Sequence, residues 1–335
     1  MGNSGIHAQQ EPRFLCHAGH KTCSARTGTV FSRRRTSAET VGLVVTVRAH
    51  GGPVPALVAA WGFDERPVAA GWARAGRQGQ AGQASLVERP RDVGPVHAAA
   101  LRGKQPGGSG WMARAMMVTT RVWLGGEVNA QRDLPLIRRL IARVRRWAAP
   151  RPLVVCPDGV GSSIRAMRDT CRDPVYPGKG GRPRLRPGRH VLLAHVVKRS
   201  ERRRVVATDR RMVAGTPARV APLRHRAPGD GVLTTAYLAL RTATCRARLA
   251  PRARHTLTRH EGMCLGGTVE NFGTPQARVH QARKMTPAMA AGIPDHGWTM
   301  HTRLSLQVPL PRWAPPKRRG RPARAWQRLI ERWCS

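Results

Sequence analysis

The spacing of apolar residues in the middle of the 335-residue chain predicts helices and strands in alternation. In "DLPLIRRLIARVRRWA" (133–148), apolar residues recur every three or four positions, which predicts an amphipathic helix that Asp133 caps. The next stretch, "RPLVVCPDGV", predicts a buried strand from Leu153 to Cys156, with Asp158 close behind it. Helix and strand in succession are typical of an α/β fold.

Upstream of that helix, apolar residues alternate with other residues in parts of "GWMARAMMVTTRVWLGGEV" (110–128). This period of two predicts two strands, or a hairpin whose turn lies near Thr119 and Thr120. A further strand is predicted in "HVLLAHVVKR" (190–199), after a basic, Gly- and Pro-rich loop at 176–190.

The N-terminal part carries helix signals instead. "SAETVGLVVTVRAHGG" predicts a helix that Ser37 caps and two glycines end. "PVPALVAAWGFDERPVAAGWARAGR" then predicts a short helix, a turn at Gly62 and Phe63, and a second helix capped by Asp64. Two helices joined by a tight Gly-containing turn form the helix-turn-helix pattern, although an ordinary helical hairpin has the same pattern.

Arginines on and after these helices are candidates for contacts to nucleic acid. Arg66, Arg74 and Arg77 lie on or near the second helix, where they could meet phosphates or base edges. A Gly- and Gln-rich stretch then predicts a linker at 79–95. Further candidates for DNA contacts lie in the C-terminal tail. There, Arg319 and Arg321 belong to an "RGRP" sequence of the type that lies in a narrow minor groove, and a merely solvated basic tail is the alternative.

Charge is the strongest compositional feature. The chain has 59 Lys and Arg against 18 Asp and Glu, a formal net charge of +41, and nearly all of the basic residues are Arg. Such a field attracts polyanions, so nucleic acid is the expected partner. An Arg-, Ala-, Gly- and Pro-rich chain is also what GC-rich DNA encodes in a decaying frame, and a product without a stable fold is therefore a second interpretation.

Neither a membrane nor an oxidising compartment is expected. No apolar run approaches the ~20 residues that span a bilayer, and "MGNSGIHAQQ" has no signal-peptide core. Seven scattered cysteines do not indicate a disulfide framework, so a cytoplasmic location is expected. Residues of zinc-ligand type cluster at Cys16, His17, His20 and Cys23, but a C-x-x-C pair is absent and a zinc site is not expected.

Asp158 is the leading candidate for catalysis. A carboxylate beside Gly at the end of a buried strand is where α/β folds place active-site groups. Nucleases that hold two Mg²⁺ ions ~3.5–4 Å apart need two or three converging acids. No spacing rule ties the other acids to Asp158, and no hydrolase elbow or Walker loop is present. The other acids considered are Glu127, Glu261, Glu270 and Asp295, with Asp133 assigned to the helix cap.

From about residue 12 to 334 the chain resembles a bacterial insertion-sequence transposase of the DDE class. The likeness lies in "TGTVFSRRRT", "LVAAWGFDERPVAAGWARAGR", "GWMARAMMVTTRVWLGGEVNAQRD", "RPLVVCPDGV", "GTVENFGTPQA", "TPAMAAGIPDHGWT" and "VPLPRWAPPKRRGRPARAWQRLIERWC". The resemblance implies a ribonuclease-H-like α/β core, a mixed sheet with flanking helices, preceded by a small helix-turn-helix domain. It also implies Mg²⁺-dependent cleavage and transfer of DNA strands at transposon ends by three metal-binding acids.

Carried over from the family, the second acid is Asp158, which is the one candidate metal ligand retained. The first falls within "HAAALRGK", where Ala99 and Ala100 stand in place of acids, and the third within "AYLALRTATCR", where Ala239 replaces Glu. In the family's zinc ribbon, the position of Gly19 belongs to a Cys. One carboxylate cannot hold two metal ions, so the resemblance implies a transposase relative that binds DNA without cutting it.

The resemblance also implies a domain order: 12–32, zinc-ribbon remnant; 36–78, helix-turn-helix; 79–95, linker; 96–300, catalytic core; 301–335, basic arm. It implies double-stranded DNA as the partner, assembly as a homo-oligomer and a place at the bacterial nucleoid. Three alternatives stay open: an active enzyme that uses Glu127 with Glu261 or Glu270, a non-enzymatic repressor of related elements, and a non-functional product.

Overall fold

The structure of the chain is a computed structural model. It describes residues 2–6, 12–17, 19–34, 36–105, 108–148, 152–157, 161–176, 178, 182–188, 190–201, 204–225, 243–245, 248, 256–276, 285–308, 327–328 and 332. The strands are β1 Gly2–Ile6, β2 Pro12–Cys16, β3 Lys21–Ser24, β4 Pro95–Gln105, β5 Gly108–Met117, β6 Trp123–Asn129, β7 Leu153–Pro157, β8 Arg172–Val175, β9 Arg184–Pro187, β10 Val191–Glu201 and β11 Arg204–Ala214. The helices are α1 Ala38–Ala49, α2 Val54–Trp61, α3 Glu65–Leu86, α4 Leu134–Trp147, α5 Gly161–Thr170, α6 Pro217–His225, α7 Thr256–Gly273, α8 Pro287–Ala290 and α9 Met300–Leu304.

A six-stranded mixed sheet forms the centre of the fold, with strand order β11-β10-β7-β4-β5-β6. β7 pairs in parallel with both β4 and β10, whereas the other neighbours are antiparallel. The predicted hairpin at 110–128 and the strands predicted at 153–156 and 190–199 are therefore confirmed, as β5–β6, β7 and β10. The α/β class and the mixed sheet with flanking helices are confirmed with them.

Helix α4 covers one face of this sheet. The Asp133 carboxylate accepts a hydrogen bond from the Leu136 backbone N–H at 2.9 Å, so the predicted cap is confirmed. The apolar stripe of α4 packs with Leu153 and Val155 of β7 in the largest hydrophobic cluster. The buried α4 residues are Leu136, Ile137, Leu140, Ile141, Val144 and Trp147.

Helices α6 and α7 cover the opposite face of the sheet. Alternate residues of a strand point to opposite sides, so Val154 and Cys156 of β7 face away from α4. Val154 and Cys156 of β7 pack in a cluster with Val220 and Leu223 of α6. On the other half of the sheet, Trp123 and Met112 pack with Met263 and Cys264 of α7.

The predicted N-terminal helices are present as α1, α2 and α3. The Ser37 hydroxyl accepts a hydrogen bond from the Thr40 N–H at 3.1 Å, and the Asp64 carboxylate accepts one from the Arg66 N–H at 3.1 Å. Gly62 ends α2 with a φ of +64°, a left-handed conformation that glycine adopts without strain.

The linker predicted at 79–95 is wrong for residues 79–86, which complete α3. A Cβ atom on Gly76 would lie 2.5 Å from the Cβ of Glu261, and one on Gly79 would lie 3.3 Å from the Thr268 hydroxyl. These glycines let α3 approach α7 closely. The composition that is typical of a linker is here the packing surface of a helix.

The N-terminal helices also share a hydrophobic cluster with the rest of the fold. Trp72 of α3 and Val45 of α1 pack with Leu265 and Val269 of α7, and Leu304 of α9 belongs to the same cluster. The predicted boundaries between 78 and 96 and between 300 and 301 are thus bridged by packing. No helix in the described part of the chain is long and apolar enough to cross a membrane.

Candidate functional site

The candidate catalytic edge lies where β4 and β7 run side by side. The two strands are parallel, and their register pairs Val96 with Val155 and Ala98 with Pro157. Ala99 is the next residue of β4, and Asp158 is the next residue of the chain after Pro157. Asp158 itself lies outside the described residues, as does Ala239. β7 ends at this level whereas β4 continues to Gln105, and α/β folds bind ligands beyond the carboxyl ends of their strands.

Ala99 faces a cation across the sheet. It pairs directly with Arg114 of β5, and cross-strand partners point to the same face. Ala99 and Ala100 are both half-buried, and neither side chain has an oxygen atom. Magnesium is held by oxygen ligands, so the described residues at this position do not fit a pair of Mg²⁺ ions.

Arg114 is held in place by an acid from α7. Its side chain is almost completely buried, and Nη2 donates a hydrogen bond to Glu270 Oε2 at 3.1 Å. Its guanidinium carbon lies 5.8 Å from the centre of the Trp123 ring. Burial alone would lower the pKa of Arg114, but the neighbouring Cys245 and Glu270 outweigh it and raise that pKa. Arg114 therefore stays protonated, and on the face of the sheet that carries Ala99 it belongs to a buried ion pair with Glu270.

Each acid considered as a substitute ligand is bound to an arginine. Glu270 pairs with Arg114, and Glu261 pairs with Arg77 at 3.0 Å. Glu127 lies on β6 and pairs with Arg143 of α4 at 3.1 Å. Because β6 is three strands away from β7, the two backbones are separated by roughly 14 Å at ~4.8 Å per strand. Glu127 cannot share a metal with a residue at the end of β7.

The two remaining acids, Asp133 and Asp295, each form a hydrogen bond with a neighbouring residue. Asp133 caps α4, as described above, and its second oxygen accepts a hydrogen bond from Asn129 Nδ2 at 2.9 Å. Asp295 is exposed beside His296, with Oδ1 and Nδ1 2.6 Å apart, and the hydrogen bond from His296 lowers the pKa of Asp295. In the described part of the chain, no group of three or more His, Cys, Asp or Glu side chains could hold a metal ion.

The three arginines predicted on α3 have different surroundings. Arg66 is exposed in the first turn, whereas Arg74 Nη1 donates to the Ser32 carbonyl oxygen at 2.6 Å. Arg77 pairs with Glu261, although 61% of its side chain is exposed. Arg66 and Arg77 are eleven residues apart, so they share one face of the helix at a spacing of ~16 Å. Arg319 and Arg321 lie outside the described residues.

The N-terminal hairpin holds the residues of zinc-ligand type. The register of β2 and β3 pairs Phe14 with Cys23 and Cys16 with Lys21, which places both cysteines on one face. Neither forms a disulfide. A Cβ atom on Gly19 would lie 3.7 Å from Cys16 Sγ, so a side chain at this position would lie next to that thiol.

The pairing of Arg114 with Glu270 is not predicted by the sequence. A signal for Arg114 was available, since it is the single charged residue in the apolar stretch "WMARAMMV". Glu270 could not have been matched to it, because the two residues are 156 positions apart. Their pairing follows from the packing of α7 on the sheet.

Comparison with known proteins adds no assignment for this chain. No protein-family model matches it, and no curated protein sequence matches it either. Its function must therefore be inferred from its own residues and sheet order.

Proposed function

We propose that the protein is a duplex-DNA-binding relative of the DDE insertion-sequence transposases that has lost DNA cleavage. The observation that carries this proposal is the position of Ala99. It lies one residue past the registered pair Ala98 and Pro157, at the strand end that precedes Asp158. A carboxylate is expected at this position in the family, and here a methyl group lies across from Arg114.

The sheet order supports a ribonuclease-H-like core. Three antiparallel strands, β6-β5-β4, are followed across the sheet by β7 and β10, and both β7 and β10 run parallel to β4. The chain reaches β7 through α4 and β10 through α5, and helices cover both faces. This arrangement is compatible with the mixed sheet that the resemblance implies, with β11 as a sixth strand at the edge.

DNA binding is supported by charge and by the face of α3. The net charge of +41 favours phosphate contacts, and Arg66 and Arg77 lie along one exposed helix face. We propose this face as part of the DNA interface, together with Arg74 and the tail residues Arg319 and Arg321. The protein would then act at the bacterial nucleoid, and by analogy with the family it would assemble as a homo-oligomer.

Loss of cleavage follows from the residues that remain. Asp158 would be the one acid left of three, and a single carboxylate cannot hold two Mg²⁺ ions. The glutamates that could replace the missing acids are bound to Arg77, Arg114 and Arg143. Zinc is not expected to bind at the N-terminal hairpin, because Gly19 stands where a thiol is needed.

The test is a cleavage assay on duplex DNA that carries the element's terminal repeats, with Mg²⁺ or Mn²⁺ present. We expect binding without nicking by this protein. The variant Ala99→Asp/Ala239→Glu tests whether the two lost acids are the cause, and cleavage by that variant alone would support this cause. Cleavage by the unmodified protein that disappears in Asp158→Ala would overturn the proposal.

A repressor of related elements is the second candidate, since the exposed face of α3 is retained while the acids are lost. A repressor would be distinguished by a preference for particular DNA sequences. Specific DNA-binding proteins hold their sites typically 10³-fold or more tighter than random duplex. Equal dissociation constants on terminal repeats and on random duplex would exclude a repressor and leave phosphate attraction alone.

A further inference from the structure

Strands β8 and β9 form a two-stranded antiparallel ribbon that is separate from the central sheet. The register pairs Asp173 with Arg186 and Val175 with Arg184. All four residues of β9 are exposed, and Leu185 in its centre is 51% exposed. The ribbon thus presents one whole strand to solvent.

Exposed arginines give this ribbon a positive charge. Since side chains alternate along a strand, Arg184 and Arg186 point to the same side. The acid on that side, Asp173, pairs with Arg145 of α4. Among the described residues of the ribbon and its flank, the exposed arginines are Arg172, Arg182, Arg184 and Arg186.

The base of the ribbon is fixed to the body of the protein. Arg145 donates one hydrogen bond to the Thr170 carbonyl oxygen and another to Asp173. On the other strand, the Gly188 N–H donates to the Cys171 carbonyl oxygen at 2.8 Å. A Cβ atom on Gly188 would lie 3.2 Å from Asp173 Oδ2, so the two strands approach each other closely at this closure. The arginines are therefore carried on a firmly attached element.

The ribbon lies far from the candidate catalytic edge. The chain leaves the carboxyl end of β7, runs back through the ten residues of α5, forms the ribbon and enters β10 beside Leu153. A helix of that length spans ~15 Å. The ribbon is therefore at the edge of the sheet that is opposite to Pro157, the last residue of β7.

We propose that the β8–β9 ribbon is a second contact site for duplex DNA and inserts into its major groove. The choice of DNA as partner rests on the function proposed above, whereas the place of contact rests on the ribbon. A two-stranded ribbon fits a major groove that is ~12 Å wide. Arg184 and Arg186 are ~6.6 Å apart along the strand, close to two base-pair steps of ~3.4 Å each along the helix axis.

An aromatic residue adds a further contact group. Tyr176 directly follows β8 and is 73% exposed, and its hydroxyl can donate a hydrogen bond to a phosphate oxygen. Duplex RNA does not suit the ribbon, because the major groove of an A-form helix is too narrow for protein side chains to enter. The ribbon should therefore distinguish duplex DNA from duplex RNA of the same sequence.

The test compares Arg184→Ala/Arg186→Ala with Arg139→Ala/Arg146→Ala in the full-length protein. The second pair removes the same charge from exposed positions of α4. Binding to a fluorescent random-sequence DNA duplex, and to an RNA duplex of the same sequence, is measured over a range of salt concentrations. We expect the ribbon variant to bind about tenfold more weakly, with a salt slope lower by about 2. The α4 variant should stay close to the unmodified protein in both quantities.

Four outcomes decide the matter. If the unmodified protein does not bind DNA, the proposed function and the ribbon site both fail. If it binds, and the two variants behave alike, the ribbon site alone is overturned. Selective weakening of the ribbon variant on DNA supports the site. Equal weakening on duplex RNA would overturn insertion into the major groove.

Discussion

Arg114 of β5 and Glu270 of α7 form a buried ion pair, with Nη2 and Oε2 3.1 Å apart and side chains that are 2% and 6% exposed. The pair joins the central sheet to the helix that also packs against α3. It lies on the face of the sheet that carries Ala99. A charge that is needed for packing thus lies next to the position at which the proposed family relationship expects a catalytic acid.

Removal of one partner of this pair should be far more damaging than removal of both. Arg114→Met leaves a buried carboxylate, and Glu270→Leu leaves a buried guanidinium. Each single variant should lose about 3–5 kcal/mol of unfolding free energy, because an unpaired buried charge is costly. The double variant should recover most of that loss. Urea unfolding of the four proteins measures this, and additive losses would show that the two residues do not interact.

Two adjacent glycines of α7 should respond in opposite ways to alanine. Nothing lies within 4 Å of a Cβ atom on Gly266, whereas one on Gly267 would collide with the Trp123 ring. Gly266→Ala should stabilise the protein by about 0.5–1 kcal/mol through helix propensity. Gly267→Ala should destabilise it by about 1–3 kcal/mol through overpacking. Thermal unfolding checks both, and equal effects of the two variants would contradict the packing of α7 on β6.

Local sequence signals were sufficient for many elements of the fold. The caps at Ser37, Asp64 and Asp133 and the periodicity of α4 are properties of neighbouring residues, and each was predicted correctly. The glycines of α3 were misjudged because their role depends on α7, which is almost two hundred residues away in the chain. Composition alone cannot distinguish a flexible linker from a helix face that needs a close approach.

The candidate site was only partly predictable for the same reason. The sequence indicated Asp158 and the alanines at 99 and 239 through a family resemblance, and those assignments stay predictions. It could not indicate that Arg114 lies opposite Ala99, since this needs the register of β4 and β5. The sequence also predicted an irregular basic loop at 176–190, where the structure has strand β9. The segment "RPRLRP" forms a strand only because it pairs with 172–175.

Stability should fall as the pH rises from about 8 to 10. Burial raises the pKa of Cys156 and Cys264 to about 12 and that of Cys171 to about 11, above the ordinary value of 9.0. A thiol whose pKa is higher in the folded state than in the unfolded state favours the folded state. This contribution to the free energy of unfolding is fully present below the unfolded pKa and is lost as the pH rises above that value. Each thiol should account for about 1 kcal/mol of loss by pH 10.

The measurement for this pH dependence is urea unfolding at several pH values, with Cys156→Ala as the matched variant. The variant should show a shallower decline than the unmodified protein. Burial lowers the pKa of Arg303 to about 10, so Arg303 makes the free energy of unfolding rise with pH. This opposite effect begins only above about pH 10 and does not alter the decline between pH 8 and 10. Parallel declines of the two proteins between pH 8 and 10 would contradict the buried state of Cys156.

The arginines of α3 should separate into structural and DNA-contacting residues when stability and DNA affinity are measured together. Arg66→Gln should weaken binding to a DNA duplex and leave the melting temperature unchanged, because the Arg66 side chain is exposed. Arg74→Gln should lower the melting temperature, because it removes the 2.6 Å hydrogen bond to the Ser32 carbonyl oxygen. Arg77→Gln should lower both, since Glu261 is 4% exposed and would lose its cation.

The three variants should differ in how much they change the salt dependence of DNA binding and the stability of the fold. A lost phosphate contact should reduce the salt slope of DNA binding by about 1 for Arg66 and Arg77 alike. The stability loss should be about 1–3 kcal/mol for Arg77→Gln, because it leaves a buried acceptor without that donor. If Arg74→Gln weakened DNA binding with no change in melting temperature, Arg74 would be a DNA contact and the hydrogen bond to Ser32 would not matter for the fold. If none of the three changed the affinity, α3 would not be the DNA-binding helix, and the net charge alone would have to explain any binding.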